Sequence, residues 1–220
     1  SSRRGDVDGG FAPACVPPSG PNYGGQNANI PFDSQTADGI PMLRQTTQEF
    51  RLQSNSADAM QWILGLYYFN EKLQVDSFNF DSFNAGDTQN GYAVQHQNAK
   101  SWAAFGNVKY DVTPELKVTA GLRYTDDKKD FDAARTQTPF GGANAGPLFA
   151  NPKSTNWSWD LGANYALSKT TSLFTRVATG YRAPSIQGRV LFGDTISVAN
   201  AEKVLSVGAG FKGDLLPNTA

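Results

Sequence analysis

The chain has 220 residues, with 19 Lys and Arg against 20 Asp and Glu, for a formal net charge of -1. That balance excludes a nucleic-acid binder, which needs a basic face to displace counterions from phosphates. Aromatics at 12% and 22 glycines make a mix too aromatic for ordinary disorder.

In chain order, residues 1–44 read as an irregular lead-in without a strand, rich in Gly, Pro and Asn. Seven strands are then predicted, at roughly 45–54, 59–71, 97–111, 115–126, 154–166, 171–182 and 201–212. The signal is alternation with a period of two, because successive strand side chains point to opposite faces. From Leu116 to Tyr124, Leu, Val, Ala, Leu and Tyr fall on one face, and Lys117, Thr119, Gly121 and Arg123 on the other. Trp157 to Leu167 and Leu205 to Phe211 repeat the pattern. The strands are long against a usual length of about 5–6 residues, and suit the roughly 9–11 residues of a tilted membrane strand.

The connections alternate in length. Asn55–Asp58, Val112–Pro114 and Leu167–Thr170 are short, whereas 72–96, 127–153 and 183–200 are long and expected to be irregular loops. Outer-membrane barrels alternate in this way, with short periplasmic turns and long outer loops. The fold class expected is all-β, a partial antiparallel up-and-down transmembrane β-barrel over 45–220. In lipid a strand must have every backbone group paired, so such a sheet has to close. An odd strand number cannot close with both ends on one side, so the stretch reads as an internal piece of a larger barrel.

No apolar run approaches the roughly 20 residues of a membrane-spanning helix, and no leader is legible in the opening residues. Single Cys15 excludes an internal disulfide framework, and single His96 makes a catalytic triad or a His-rich metal site improbable. No enzyme activity, catalytic group, cofactor or metal site is assigned. His96 is expected to start a strand near the outer interface. Trp62, Tyr68, Trp102, Tyr110, Tyr124, Trp157, Trp159 and Tyr165 fall near strand ends on the apolar faces, where aromatic girdles sit at bilayer interfaces. Aromatic enrichment in strands generally is the plainer explanation, but the girdle is favoured because the same faces carry Leu, Val and Ala between the rings and no charge. The opposite faces carry Glu49, Arg51, Lys109, Arg123, Asp160 and Arg176, expected to line a wet interior.

Ser101–Phe131, with Tyr-Asp-Val-Thr at 110–113 and Gly-Leu-Arg-Tyr-Thr at 121–125, resembles the mid-barrel hairpin of TonB-dependent outer-membrane receptors. Gln48–Phe69, with Gln-Glu-Phe-Arg-Leu and Gly-Leu-Tyr-Tyr-Phe, resembles the hairpin before it. Gly180–Pro184 (Gly-Tyr-Arg-Ala-Pro) and Glu202–Lys212 resemble later segments, in the family's order. The family's plug, the segment gripped by TonB and the final strand have no counterpart in this stretch.

The resemblance implies active uptake of a scarce solute: a ferric siderophore, haem, cobalamin or a carbohydrate. The implied partners are outer-membrane lipid, the TonB complex acting through a plug, and a small-molecule substrate such as a metal chelate. The implied location is the outer membrane of a Gram-negative bacterium. Tyr181, Arg182 and Arg189 are the candidate substrate-binding residues, since a guanidinium fork suits carboxylate or catecholate oxygens and a phenol can stack. Pairing of Arg182 with an interior carboxylate is the plainer role. Asp126, Asp127, Asp130 and Asp132 offer calcium-type ligands, but the interleaved Lys128 and Lys129 favour a solvated loop start.

Gly208–Gly213 fits a dinucleotide fingerprint but lacks the following helix, so its glycines are placed on the interior face of a strand. Arg4-Gly5-Asp6 and the sequon at Asn156–Ser158 are read as chance. A passive porin-like pore and a soluble β-sandwich carbohydrate-binding module are the competing readings. The sandwich would pack its apolar faces together about 10 Å apart. The barrel piece would leave them bare, and so is expected to be insoluble or oligomeric without detergent.

Overall fold

Neighbour-to-neighbour pairing organises the protein. The computed structural model describes residues 36–55, 59–81 and 88–213. Expectations for Cys15, the Arg4-Gly5-Asp6 tripeptide and the chain beyond 213 lie outside the described residues. The strands are β1 (Thr36–Gln53), β2 (Met60–Asp81), β3 (Thr88–Asp111), β4 (Leu116–Gln137), β5 (Ala145–Ala150), β6 (Lys153–Ala166), β7 (Thr171–Arg182), β8 (Ser185–Gln187), β9 (Ser197–Ala199) and β10 (Glu202–Gly213). The main sheet runs β1-β2-β3-β4-β6-β7-β10, with β5 beside β4, and β8 pairs with β9 separately. Every pairing in the main sheet is antiparallel. Its seven long strands are the seven that the alternation predicts.

Register joins the alternating patterns into two continuous faces. Phe50, Leu66, Ala104, Tyr124 and Trp157 form one row across five strands. Val108, Ala120, Leu161, Val177 and Val207 form another. These residues share a face that nothing covers among the described residues: Leu66 is 59% exposed, Leu161 54% and Val207 70%. The band runs about nine residues along a strand, from Trp102 to Tyr110 on β3 and from Trp157 to Tyr165 on β6. That height matches a tilted strand crossing hydrocarbon. A sandwich would have a second sheet against this face, and among the described residues the other sheet is only the β8–β9 ribbon.

The short connections are tight turns. The Val112 and Thr113 amides both donate to the Leu116 carbonyl, and Thr113 Oγ1 accepts from the Leu116 amide at 3.0 Å. Thr in the Tyr-Asp-Val-Thr segment therefore caps the β3–β4 turn through its own side chain. The Leu167 and Ser168 amides turn the β6–β7 join in the same way, onto the Thr171 carbonyl.

The opposite ends depart from expectation. β1 begins at Thr36, so the lead-in read as strandless to 44 already contains strand. Residues 72–81 and 88–96, expected in an irregular loop, continue β2 and β3 in register as far as Asp81 and Thr88. Most of 127–153 is strand as well, as β4 runs on to Gln137 and β5 returns beside it. His96 accordingly lies inside β3 rather than at its start. The physical reason is that apolar-polar alternation marks only the part of a sheet with one dry face. Beyond the bare band both faces carry polar residues, and cross-strand pairs sustain the ladder without that signature. Phe78 and Tyr92, paired in register with ring centroids 5.3 Å apart, are one such pair.

A small core sits on the polar side of these extensions. Ala93, Phe131 and Ala133 of β3 and β4, with Ala150 of β5, pack under Val190 and Leu191 of the β7–β10 connection. Gly188 permits the close approach, because a Cβ there would overlap the Phe131 ring. Gly146 has φ of +96° and a Cβ position 2.6 Å from the Ala133 carbonyl, so a side chain is excluded on both counts.

The bare face yields a prediction. Leu122→Arg, at mid-band on β4, should lower the unfolding free energy in phosphatidylcholine vesicles by about 2–4 kcal/mol. Ser206→Arg on the polar face should change it little. Urea titration followed by tryptophan fluorescence measures both, and equal effects would contradict a lipid-facing band.

Candidate functional site

The polar face follows from the same register. Glu49, Tyr67, Ala103, Thr125 and Asn156 form one of its rows, and Arg51, Gly65, Phe105, Arg123 and Ser158 another. The sequence-predicted lining residues all lie on this face. Arg51 pairs with Glu49, and Arg176 with Asp160 at 3.5 Å. Arg123 has its guanidinium carbon 5.4 Å from the Tyr67 ring centroid and 5.6 Å from that of Phe105. Cation-π contacts of this kind contribute about 0.5–2 kcal/mol and hold the planar group flat against the wall. Gly65 leaves room for the Phe105 ring and Gly210 for the Phe174 ring, so glycines here seat large interior side chains. Lys109, beside Gln53 and Asn107, has no ion-pair partner among the described residues.

The three candidate binding residues sit near the upper end of β7 and beyond. Arg182 pairs with Glu202 of β10 at 3.6 Å, with both side chains mostly exposed. The plainer of its two expected roles is therefore present in the structure. Arg189, in the β7–β10 connection, pairs with Asp38 of β1 at 3.6 Å. The Tyr181 hydroxyl is enclosed beside Ser154 and Asp127, register partners on β6 and β4, and makes no well-formed hydrogen bond to either. The three meet different strands: Arg182 meets β10, Arg189 meets β1, and Tyr181 lies beside β4 and β6. A shallow depression beside His96 and Asp132 is lined by Met42, Lys72 and Phe149, and none of the three reaches it.

The Asp126–Asp132 cluster disperses across the strand. Asp127 faces away from Asp126 and Asp130 by alternation, Asp130 pairs with Lys128 at 2.9 Å, and Asp132 pairs with His96 at 2.8 Å. Lys129 donates to the Pro184 carbonyl at 2.6 Å, which ties the Gly-Tyr-Arg-Ala-Pro segment to β4.

The residue that organises the mouth is Arg135, which the sequence does not single out. Its side chain is 5% exposed. It donates to the carbonyls of Val190 and Gly193 at 3.0 Å and Ala143 at 2.8 Å, and pairs with Asp194 at 2.5 Å. One guanidinium from β4 thus satisfies three main-chain acceptors in two separate connections. The only sequence signal was an arginine at an inward position within a stretch that did not read as strand.

A long-stranded antiparallel sheet with one bare apolar face, one polar face and tight turns along one edge defines the wall of a transmembrane β-barrel. Residues 6–220 match the family described as TonB dependent receptor-like, beta-barrel, and the chain belongs to that family. The ferric yersiniabactin uptake receptor FyuA from Yersinia pestis is similar in structure, with a TM-score of 0.69 at 18% identity over 83% of this chain and 28% of that one. The ferric-catecholate import receptor Fiu from K12 E. coli aligns with a TM-score of 0.49 at 12% identity, over 80% of this chain and 36% of that one. The chain therefore spans about a third or less of the solved receptors it matches.

Two predictions attach to the mouth. Arg135→Ala removes charged donors from three buried carbonyls, each bond contributing about 1.5–3 kcal/mol. Amide exchange over 186–196 should accelerate on the order of a hundredfold, while the amides of Leu161–Tyr165 keep their protection. In the extension above the band, burial pushes the Tyr92 phenol above its ordinary pKa, and the neighbouring Asp76 charge adds to the shift. The folded value exceeds the unfolded value of about 10. Its contribution to stability is therefore fully present below about pH 10 and is lost as pH rises through the folded value. Absorbance titration at alkaline pH should show a late-ionising tyrosine that disappears in Tyr92→Phe.

Proposed function

We propose that this chain forms part of the wall and mouth of a TonB-dependent transporter in the outer membrane of a Gram-negative bacterium. In this reading it takes up a scarce solute actively and performs no enzymatic step. The observation that carries the reading is the pairing of a bare apolar band of membrane height with a charged opposite face, in a chain of this receptor family. Trp102, Tyr124 and Trp157 support it, since their rings touch in sequence at 5.3 and 5.0 Å along the upper edge of the band. Amphipathic rings favour the boundary between hydrocarbon and headgroups. Tyr68 stands beside Trp102 in register, and Tyr110 and Tyr165 lie at the lower edge.

Short turns then face the periplasm, and the extended strands stand outside the cell. A solute is captured at that outer mouth, where the exposed Arg182 and Arg189 are available to it and Tyr181, its hydroxyl enclosed, offers only its ring. The Arg182–Glu202 and Arg189–Asp38 pairs are long and exposed, so an anionic ligand displaces either carboxylate at little cost. The interior cations, Arg123 and Lys109 among them, face a plug domain that TonB pulls. Among the expected solutes a ferric chelate is favoured, because the receptor with the similar fold is named for one. Such chelates present carboxylate or catecholate oxygens to arginine.

The test is uptake of radiolabelled ferric chelates by cells carrying the full-length gene. Uptake should saturate, require TonB and stop when the proton gradient is collapsed. Combined Arg182→Ala and Arg189→Ala should raise the half-saturating concentration about tenfold. Non-saturating uptake that persists without TonB would establish a passive pore instead.

A further inference from the structure

The register brings together three lysines that lie far apart in sequence. Lys100 of β3 pairs with Lys128 of β4, and Lys128 pairs with Lys153 of β6. Alternation places all three on the same face as the apolar band, one outward step beyond the row of Tyr68 and Trp102. That step is about 7 Å along the strands, and adjacent strands lie about 4.8 Å apart. Arg44 and Lys72, register partners of each other, continue the cluster one row higher.

Like charges directly opposite one another destabilise a sheet. Here two such contacts run in succession, and of the three lysines only Lys128 has an acid partner among the described residues, Asp130 at 2.9 Å. Lys100, Lys153, Lys72 and Arg44 are exposed and have no ion pair among the described residues. Asp126 and Asp130 are the carboxylates within these rows, against five cations. The patch therefore carries a net positive charge, directly above an aromatic edge that marks the top of the hydrocarbon.

We propose that this lysine row binds the phosphate groups of an anionic lipid in the outer leaflet. The inference rests on the membrane orientation proposed above. Charge complementarity and continuity with the lipid-facing band identify the occupant. A phosphate anchored to acyl chains that lie along the apolar band is presented at the height of Lys100, Lys128 and Lys153. A soluble anion would have no such reason to collect on the outside of the wall. One phosphate can accept from two neighbouring ammonium groups, which removes the repulsion between register partners.

The test uses the detergent-solubilised full-length protein, titrated with bis-phosphorylated lipid A and followed by native mass spectrometry. Each Lys or Arg near an anionic surface contributes roughly a factor of five in affinity. The triple variant K100Q/K128Q/K153Q should therefore bind about a hundredfold more weakly. The control K169Q/K212Q, changed in a turn and on the opposite face, should match the wild type. Dephosphorylated lipid A should bind wild type and triple variant equally. Undiminished binding to the triple variant would overturn the proposal, as would displacement of the lipid by millimolar inorganic phosphate. Each protein is also checked for a heat-sensitive mobility shift after insertion into phosphatidylcholine vesicles. Loss of that shift in the wild type would overturn the barrel orientation itself, and loss only in the triple variant is resolved by testing K100Q and K153Q singly.

Discussion

The main-chain hydrogen-bond ladder is the constraint on which the rest of the structure depends. Across hydrocarbon no water can replace a missing partner, so each strand must pair along its whole crossing. The β3–β4 ladder from Asp111–Lys117 up to Val94–Ala134 is unbroken. Once that ladder is set, the pleat assigns every side chain to one of two faces. A slip of one residue would put Arg123 in lipid and Leu122 in water, so the two-residue period and the register enforce each other.

That coupling explains what was legible in the sequence. The stretches 116–124, 157–167 and 205–211 alternate because one neighbour is dry and the other wet, and each became a strand of the main sheet in the expected order. Interior residues such as Arg51, Arg176 and Asp160 were legible by the same parity. Of the glycines in Gly208–Gly213, Gly208 and Gly210 fall on the interior face, where Gly210 accommodates the Phe174 ring, whereas Gly213, paired with Thr171, falls on the other.

The rest was hidden because it depends on relations between strands. Residues 72–81 and 88–96 have no apolar-polar period, yet they pair as strands because Phe78 finds Tyr92 and Gln74 lies opposite His96. Arg135 lies in a stretch expected to be loop, and its role emerges only when the 185–199 connection folds back over β4. The lysine row joins positions 100, 128 and 153, which no local window relates. The three candidate binding residues were singled out in and beside one motif, but Arg182 meets Glu202 of β10, Arg189 meets Asp38 of β1, and Tyr181 stands beside Asp127 of β4.

The anchoring of the mouth has an evolutionary consequence. Arg135 holds its connections through carbonyls at Val190, Gly193 and Ala143, and a carbonyl belongs to every residue type. The side chains around those points can change without loosening the anchor, whereas the arginine itself cannot be exchanged for the shorter reach of another cation. The chemistry displayed around the rim can therefore vary from residue to residue while its backbone path stays inherited, so that surface character drifts faster than shape.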